Sequence, residues 1–193
     1  MKRLGIFLSV SFLLALTGSS FRPAVILLLG DSVTLADYTE EGFAHILQEK
    51  LTGRAIVINA GFNSGTAPDA LSHWEEYSAL RPDIVIIYFG TNDIKRIDSG
   101  NETWEEYESA LLKLATLAPR AILITPHRGH ETPAHHYYLA DVERAASLVR
   151  NLGYPVADIY SYCCEENQLC DYAHPNEEGH HIIADAILAL LSL

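Results

Sequence analysis

Five short apolar runs, alternating with stretches of helical spacing, constrain this chain more than any other feature. The runs are Ala24–Leu29, Ala55–Ile58, Ile84–Phe89, Ala121–Ile124 and Val156–Ile159. They are continuous and rich in Ile and Val. A strand with one wet face alternates polar and apolar residues, so continuous runs predict parallel strands covered on both faces. Between them, Glu40–Leu51 repeats apolar residues at Phe43, Ile46, Leu47 and Leu51. Thr66 with Asp69 makes a capping box ahead of a helix over Ala70–Leu80, and Thr103 with Glu106 another ahead of Tyr107–Ala118. Helices are also predicted over His136–Leu152, ending at Gly153, and over Glu177–Leu191, capped by Asn176.

A β-α unit repeated five times predicts an α/β fold of flavodoxin-like type, a three-layer α/β/α sandwich on a five-stranded parallel sheet. The length of 193 residues suits one domain. Residues 1–20 read as a separate segment. Lys2 and Arg3 are followed by a mostly apolar stretch from Leu4 to Leu16 and by small residues at Thr17–Ser20. The apolar stretch falls short of the ~20 residues that a bilayer span needs. It fits a signal peptide cut near Ser19 or Ser20, leaving a domain over 21–193 and a secreted or periplasmic product. The chain carries a formal charge of -12, and removing the leader takes away two cations. So acidic a surface repels phosphate backbones and anionic lipid, which argues against nucleic acid and a polybasic membrane anchor. The cysteines crowd together at Cys163, Cys164 and Cys170. In an oxidising compartment one disulfide is expected, joining Cys170 to Cys163 or Cys164, because a bridge between neighbours strains the intervening peptide. Three clustered thiols without an obvious fourth ligand make an incomplete zinc site.

Open α/β sheets bind ligands beyond the carboxyl ends of their strands. The residues there are Gly30-Asp31-Ser32, Asn59 to Thr66, Gly90-Thr91-Asn92-Asp93 and Thr125 to His130. Ser32 stands at the crevice mouth, and Gly30 lets the backbone turn there without a side chain in the way. A serine hydroxyl is a poor nucleophile until a base takes its proton, and the base needs a third group to fix its tautomer. Asp171-Tyr172-Ala173-His174-Pro175-Asn176 supplies both, with the aspartate three residues before the histidine. Pro175 biases His174 towards an extended backbone, out of the following helix. The Asn92 amide is placed to donate to an oxyanion. Singly, each element reads equally well as a turn or a helix cap. His127, His130, His135 and His136 crowd the segment after the fourth strand but share no carboxylate at ligand spacing, and are expected as surface residues of a variable loop.

Taken together these residues resemble the SGNH (GDSL-type) hydrolase family. Gly30-Asp31-Ser32 matches its first block, Asn59-Ala60-Gly61 opens the second, Gly90-Thr91-Asn92-Asp93 matches the third and Asp171 to Asn176 the fifth. The resemblance extends from residue 24 to the last helix and includes the small periplasmic thioesterase/lysophospholipase members. It implies Ser32 as nucleophile, His174 as base and Asp171 as its orienter, with an oxyanion hole from the Ser32 amide, a second-block amide and the Asn92 side chain. The second-block donor is Gly65 if one residue is inserted, or Ser64 if not. The activity implied is hydrolysis of a small-molecule carboxylic ester or thioester through an acyl-enzyme, with no cofactor and no metal. Carbohydrate O-acetylesterases share the same blocks, and a non-catalytic flavodoxin-like binding module is the alternative from another class. No Gly-x-Ser-x-Gly elbow or glycine-rich phosphate loop occurs, which disfavours an α/β-hydrolase proper and a nucleotide site.

Overall fold

Five parallel strands form the sheet: β1 (Ala24–Gly30), β2 (Ala55–Gly61), β3 (Ile84–Tyr88), β4 (Ala121–Ile124) and β5 (Val156–Ala157). Their order is β2-β1-β3-β4-β5, the flavodoxin-like arrangement. The computed structural model describes residues 22–130, 138–164 and 166–192, so the expected leader lies outside them. Around the sheet pack α1 (Ser32–Leu35), α2 (Phe43–Lys50), α3 (Ala67–Ser72), α4 (Trp74–Ala79), α5 (Thr91–Asp98), α6 (Trp104–Leu117), α7 (Leu139–Asn151) and α8 (Glu177–Leu188).

The continuous apolar runs are explained by two cores, one on each face. Alternate residues of β1 point opposite ways: Ile26 and Leu28 pack with Phe43 and Leu47 of α2 and Ile183 and Ile187 of α8. Leu27 and Leu29 pack with Tyr107, Leu111 and Leu114 of α6 and with Val142 and Val149 of α7. All four β1 residues are fully buried, so neither face tolerates a polar side chain. Among the described residues no helix is long and apolar enough to cross a membrane.

Several boundaries differ from expectation. The helix predicted over 70–80 breaks at His73 into α3 and α4. Its capping box is half made: Thr66 accepts from the Asp69 N–H at 3.3 Å, while the Asp69 carboxylate pairs with Arg96 at 2.8 Å. The box at Thr103 and Glu106 is complete. The helix predicted from His136 is described from Leu139. Two helices were not foreseen, and both begin at the candidate site. Asp31 caps α1 through the Val33 N–H, and α5 follows Gly90, whose φ of 146° lies outside the range of ordinary side chains. A Cβ at Gly90 would also overlap the Pro126 ring.

Candidate active site

β1 lies between β2 and β3, so the chain leaves it in opposite directions and opens a crevice at the strands' carboxyl ends. Gly30 ends β1 there, and a Cβ on it would overlap Thr34 and crowd the Tyr88 carbonyl. Ser32 is the first residue of α1, and its N–H is one of the helix's unpaired N-terminal donors. Opposite it stands the loop between the 3-10 turn at Glu166–Gln168 and α8. His174 Nε2 lies 3.0 Å from Ser32 Oγ, across 142 positions of sequence, and His174 Nδ1 lies 2.8 Å from Asp171 Oδ2. The other Asp171 oxygen accepts the Ala173 and His174 N–H groups, each at 2.7 Å. Burial alone would raise the Asp171 carboxyl, but these N–H groups and the imidazole together hold it below its ordinary value. A carboxylate can only accept, so Nδ1 carries the imidazole proton and Nε2 turns its lone pair to the serine. That line can take a proton from a hydroxyl and return it to a departing group.

The profile of the GDSL-like lipase/acylhydrolase family matches residues 28–182. The chain belongs to this family. The comparison with curated proteins gives no match. Among solved structures, an α/β hydrolase enzyme from the metagenome of Lake Arreo, Spain, superposes with a TM-score of 0.72 at 25% identity, over 88% of this chain and 96% of that one. An acetylxylan esterase from Geobacillus stearothermophilus superposes with a TM-score of 0.74 at 22% identity, over 88% of this chain and 94% of that one. Catalytic mutants of that esterase replace a serine, an aspartate and a histidine, the last two three positions apart.

In this GDSL-like hydrolase the predicted oxyanion residues Asn92 and Gly65 meet each other and Asp31, the residue before Ser32. Asn92, in the first turn of α5, donates through Nδ2 to Asp31 Oδ2 at 3.3 Å and to the Gly65 carbonyl at 3.2 Å. Burial pushes the Asp31 carboxyl up to about 6 against the pull of the Val33 N–H. The Gly65 N–H closes a turn onto the Phe62 carbonyl at 3.2 Å, and the preceding Ser64 is exposed with φ of 57°. Asn59 of the second block is structural: its amide donates to the Thr34 carbonyl at 2.7 Å and its oxygen accepts the Gly61 N–H.

Two expectations are corrected. His127 is buried, not on a loop surface. It follows β4 directly, and its ring bridges the Tyr88 hydroxyl and the Ala173 carbonyl. His130 is partly exposed near Glu166, while His135 and His136 lie outside the described residues. Among the described residues no three His, Cys, Asp or Glu side chains gather as a metal site. The disulfide joins Cys163 to Cys164 rather than either to Cys170. The backbone turns at Cys164 (φ of 69°), and both cysteines are buried in the core beneath α8. Cys170 is free and exposed, its sulfur directed at the Pro175 carbonyl. The loop before His174 is tied by backbone bonds instead, from Cys170 N–H to the His174 carbonyl (2.8 Å) and Asn176 N–H to the Gln168 carbonyl (2.9 Å).

Sequence reasoning missed Tyr38 and His180. The Tyr38 ring lies 4.7 Å from the His174 ring, and its hydroxyl meets His180 Nε2 at 2.9 Å. No local spacing signals a contact between residues 142 positions apart.

Proposed function

We propose that this chain is an exported serine esterase that cleaves carboxylic esters through an acyl-enzyme on Ser32, with His174 as base and Asp171 holding its imidazole. The observation that carries this reading is the unbroken line from Ser32 Oγ to His174 Nε2 (3.0 Å) and from His174 Nδ1 to Asp171 (2.8 Å). As Ser32 Oγ attacks the carbonyl carbon, its proton passes to Nε2 and the imidazolium is held against the Asp171 carboxylate. The tetrahedral oxyanion takes hydrogen bonds from the Ser32 N–H and from Asn92 Nδ2, whose present bonds of 3.2 and 3.3 Å are long enough to yield to a charged acceptor. The Gly65 N–H joins only by sharing its hydrogen with the Phe62 carbonyl. Collapse breaks the bond to the alcohol, which leaves with the proton from Nε2. Water, deprotonated by the same nitrogen, then releases the acid and restores the Ser32 hydroxyl. The serine, aspartate and histidine of the Geobacillus esterase's catalytic mutants, with the same three-residue spacing, support these roles. Export rests on the leader-like residues 1–20.

A specific observation favours an O-acetylated carbohydrate within this ester class. A groove of about 520 Å³ is lined by Tyr38, whose ring packs against His174, with Thr39, Glu40, Cys170, Asn176, Glu177 and Glu178. Its three carboxylates repel the phosphates of coenzyme A and phospholipid headgroups but not a neutral sugar. The acetylxylan esterase among the structural neighbours agrees with that choice. The test combines fluorophosphonate labelling, read by mass spectrometry, with rates on p-nitrophenyl acetate, acetylated xylan, an acyl-CoA and a lysophospholipid. A single adduct on Ser32, absent in Ser32→Ala, is expected, with the acetyl substrates hydrolysed fastest. A non-catalytic binding module would take no label, and full activity in Ser32→Ala would end the reading.

A further inference from the structure

His174 is the moving part of the proposed mechanism, and two buried histidines that do not touch Ser32 flank it. His127 Nε2 lies 2.6 Å from the Ala173 carbonyl, and its Nδ1 lies 2.7 Å from the Tyr88 hydroxyl. A carbonyl only accepts, so Nε2 carries the proton and Nδ1 accepts from the tyrosine. His180, on α8, is arranged alike. The Phe43 N–H donates to its Nδ1 at 3.2 Å, so its proton is on Nε2 and goes to the Tyr38 hydroxyl at 2.9 Å. Tyr38 in turn lays its ring against His174 at 4.7 Å between centroids, inclined by 54°. Both bracing histidines thus carry Nε2–H, while His174 carries Nδ1–H, each tautomer dictated by its neighbours.

We propose that His127, and His180 acting through Tyr38, are positioning residues for His174: one holds the loop at the Ala173 carbonyl, the other holds the face of the imidazole. The proposal rests on the reading of His174 as the base. The loop has reason to need such bracing. Asp171 is exposed, His174 is partly exposed and no disulfide ties the segment. Asp171 holds the ring along its Nδ1 edge only, so the face of the imidazole is positioned by other groups. Tyr88 at the end of β3 and Phe43 at the start of α2 belong to the packed core. The two histidines therefore couple the loop to the rigid sheet and to α2. Burial also lowers both imidazoles to about 4, so they stay uncharged when His174 becomes an imidazolium beside them. Charged neighbours would repel it and oppose the proton transfer.

The test measures kcat and KM with p-nitrophenyl acetate, together with the rate and site of fluorophosphonate labelling, in four variants. His127→Leu removes the donor to Ala173, and His127→Gln restores an amide donor. His180→Phe keeps a ring but loses both bonds, and Tyr38→Phe keeps the ring against His174 but removes the acceptor of His180. A displaced base costs rate rather than binding, so His127→Leu and His180→Phe should lower kcat roughly 10- to 100-fold with KM changed less than about twofold. Tyr38→Phe should lose less, roughly threefold to tenfold, and His127→Gln should recover most of the loss. Every variant should still label on Ser32, more slowly. Labelling away from Ser32 in the wild type would sink the reading beneath the proposal. Labelling on Ser32 with unchanged kcat in folded variants would sink the proposal alone, as would a loss confined to KM or a His127→Gln variant as slow as His127→Leu. Should His127→Leu or His180→Phe not fold, Tyr38→Phe decides: a lowered kcat with KM and the labelling site unchanged supports the proposal, and an unchanged kcat sinks it.

Discussion

Removing the negative charge from Glu102 should make the protein less sensitive to alkali. Glu102, between α5 and α6, is only 7% exposed, and Asp93, next to Asn92, is fully buried. One Asp93 oxygen accepts the Ala67 N–H at the start of α3, at 2.8 Å. The other, and one oxygen of Glu102, are buried with no hydrogen-bond partner among the described residues. The charge of Glu102 raises Asp93 further, so ionising both carboxyls together is disfavoured. Burial is the main cause, opposed for Glu102 by Arg96 and reinforced by Asp69 and Glu106, and it raises Glu102 from its ordinary 4.5 to about 7. Asp93 is raised well above its ordinary value by burial, with Glu102 and Asp31 adding to it. The sign follows: between 4.5 and about 7 the folded chain holds a proton that the unfolded chain has released, so stability falls as pH rises through that window. At ~1.4 kcal/mol for each tenfold change in acidity, the displacement amounts to about 3 kcal/mol, lost in full above pH ~7. Glu102→Gln, neutral throughout, should match wild type near pH ~5 and exceed it near pH ~8 by up to about 3 kcal/mol, roughly 5–10 °C in Tm. Urea unfolding of both proteins across this range reads the difference directly. Curves that stay parallel, or a variant weaker by the same amount at every pH, would refute the raised Glu102 carboxyl.

Other outcomes are equally open to measurement. If Ser32, His174 and Asp171 act as one unit, Ser32→Ala combined with His174→Ala should lose little beyond the worse single variant, and additive losses in kcat/KM would break the unit. Asp171→Asn should lose less than His174→Ala, because it disturbs orientation without removing the base, and the reverse order would misplace the two roles. Asn92→Ala should lower kcat by roughly 10²–10³ with little change in KM, and a near-normal kcat would leave Asn92 as a turn residue. Native, unreduced protein should react with one equivalent of a thiol reagent, at Cys170, and peptide mapping that links Cys170 to either neighbour would overturn the observed pairing.

Much of the fold was legible because it depends on local pattern. The five apolar runs marked the strands, since residues buried on both faces leave no polar alternation, and the Thr103–Glu106 box marked the start of α6. The helices were less legible where neighbours intervene. Asp69 looked like the partner of Thr66, but Arg96 from α5 takes its carboxylate and the helix breaks at His73. The short helices after Gly30 and Gly90 carry too few residues to show a period.

The candidate site divides along the same line. Ser32 and Asn92 stand at strand ends and Asp171 and His174 within one turn of chain, so the sheet topology and the motif resemblance together made the candidate site legible. Tertiary structure alone decided the rest. His127 reads on paper like the other histidines of its segment, yet it is buried against the His174 loop, with its ring at the Ala173 carbonyl. Cys163 and Cys164 are buried beneath α8 and bridge each other, while Cys170 is exposed. The Tyr38–His180 contact and the raised carboxyls of Asp93 and Glu102 arise from burial and approach between separate elements. Such properties belong to the packed molecule, because removing water from a group, and choosing what replaces it, depends on elements distant in sequence.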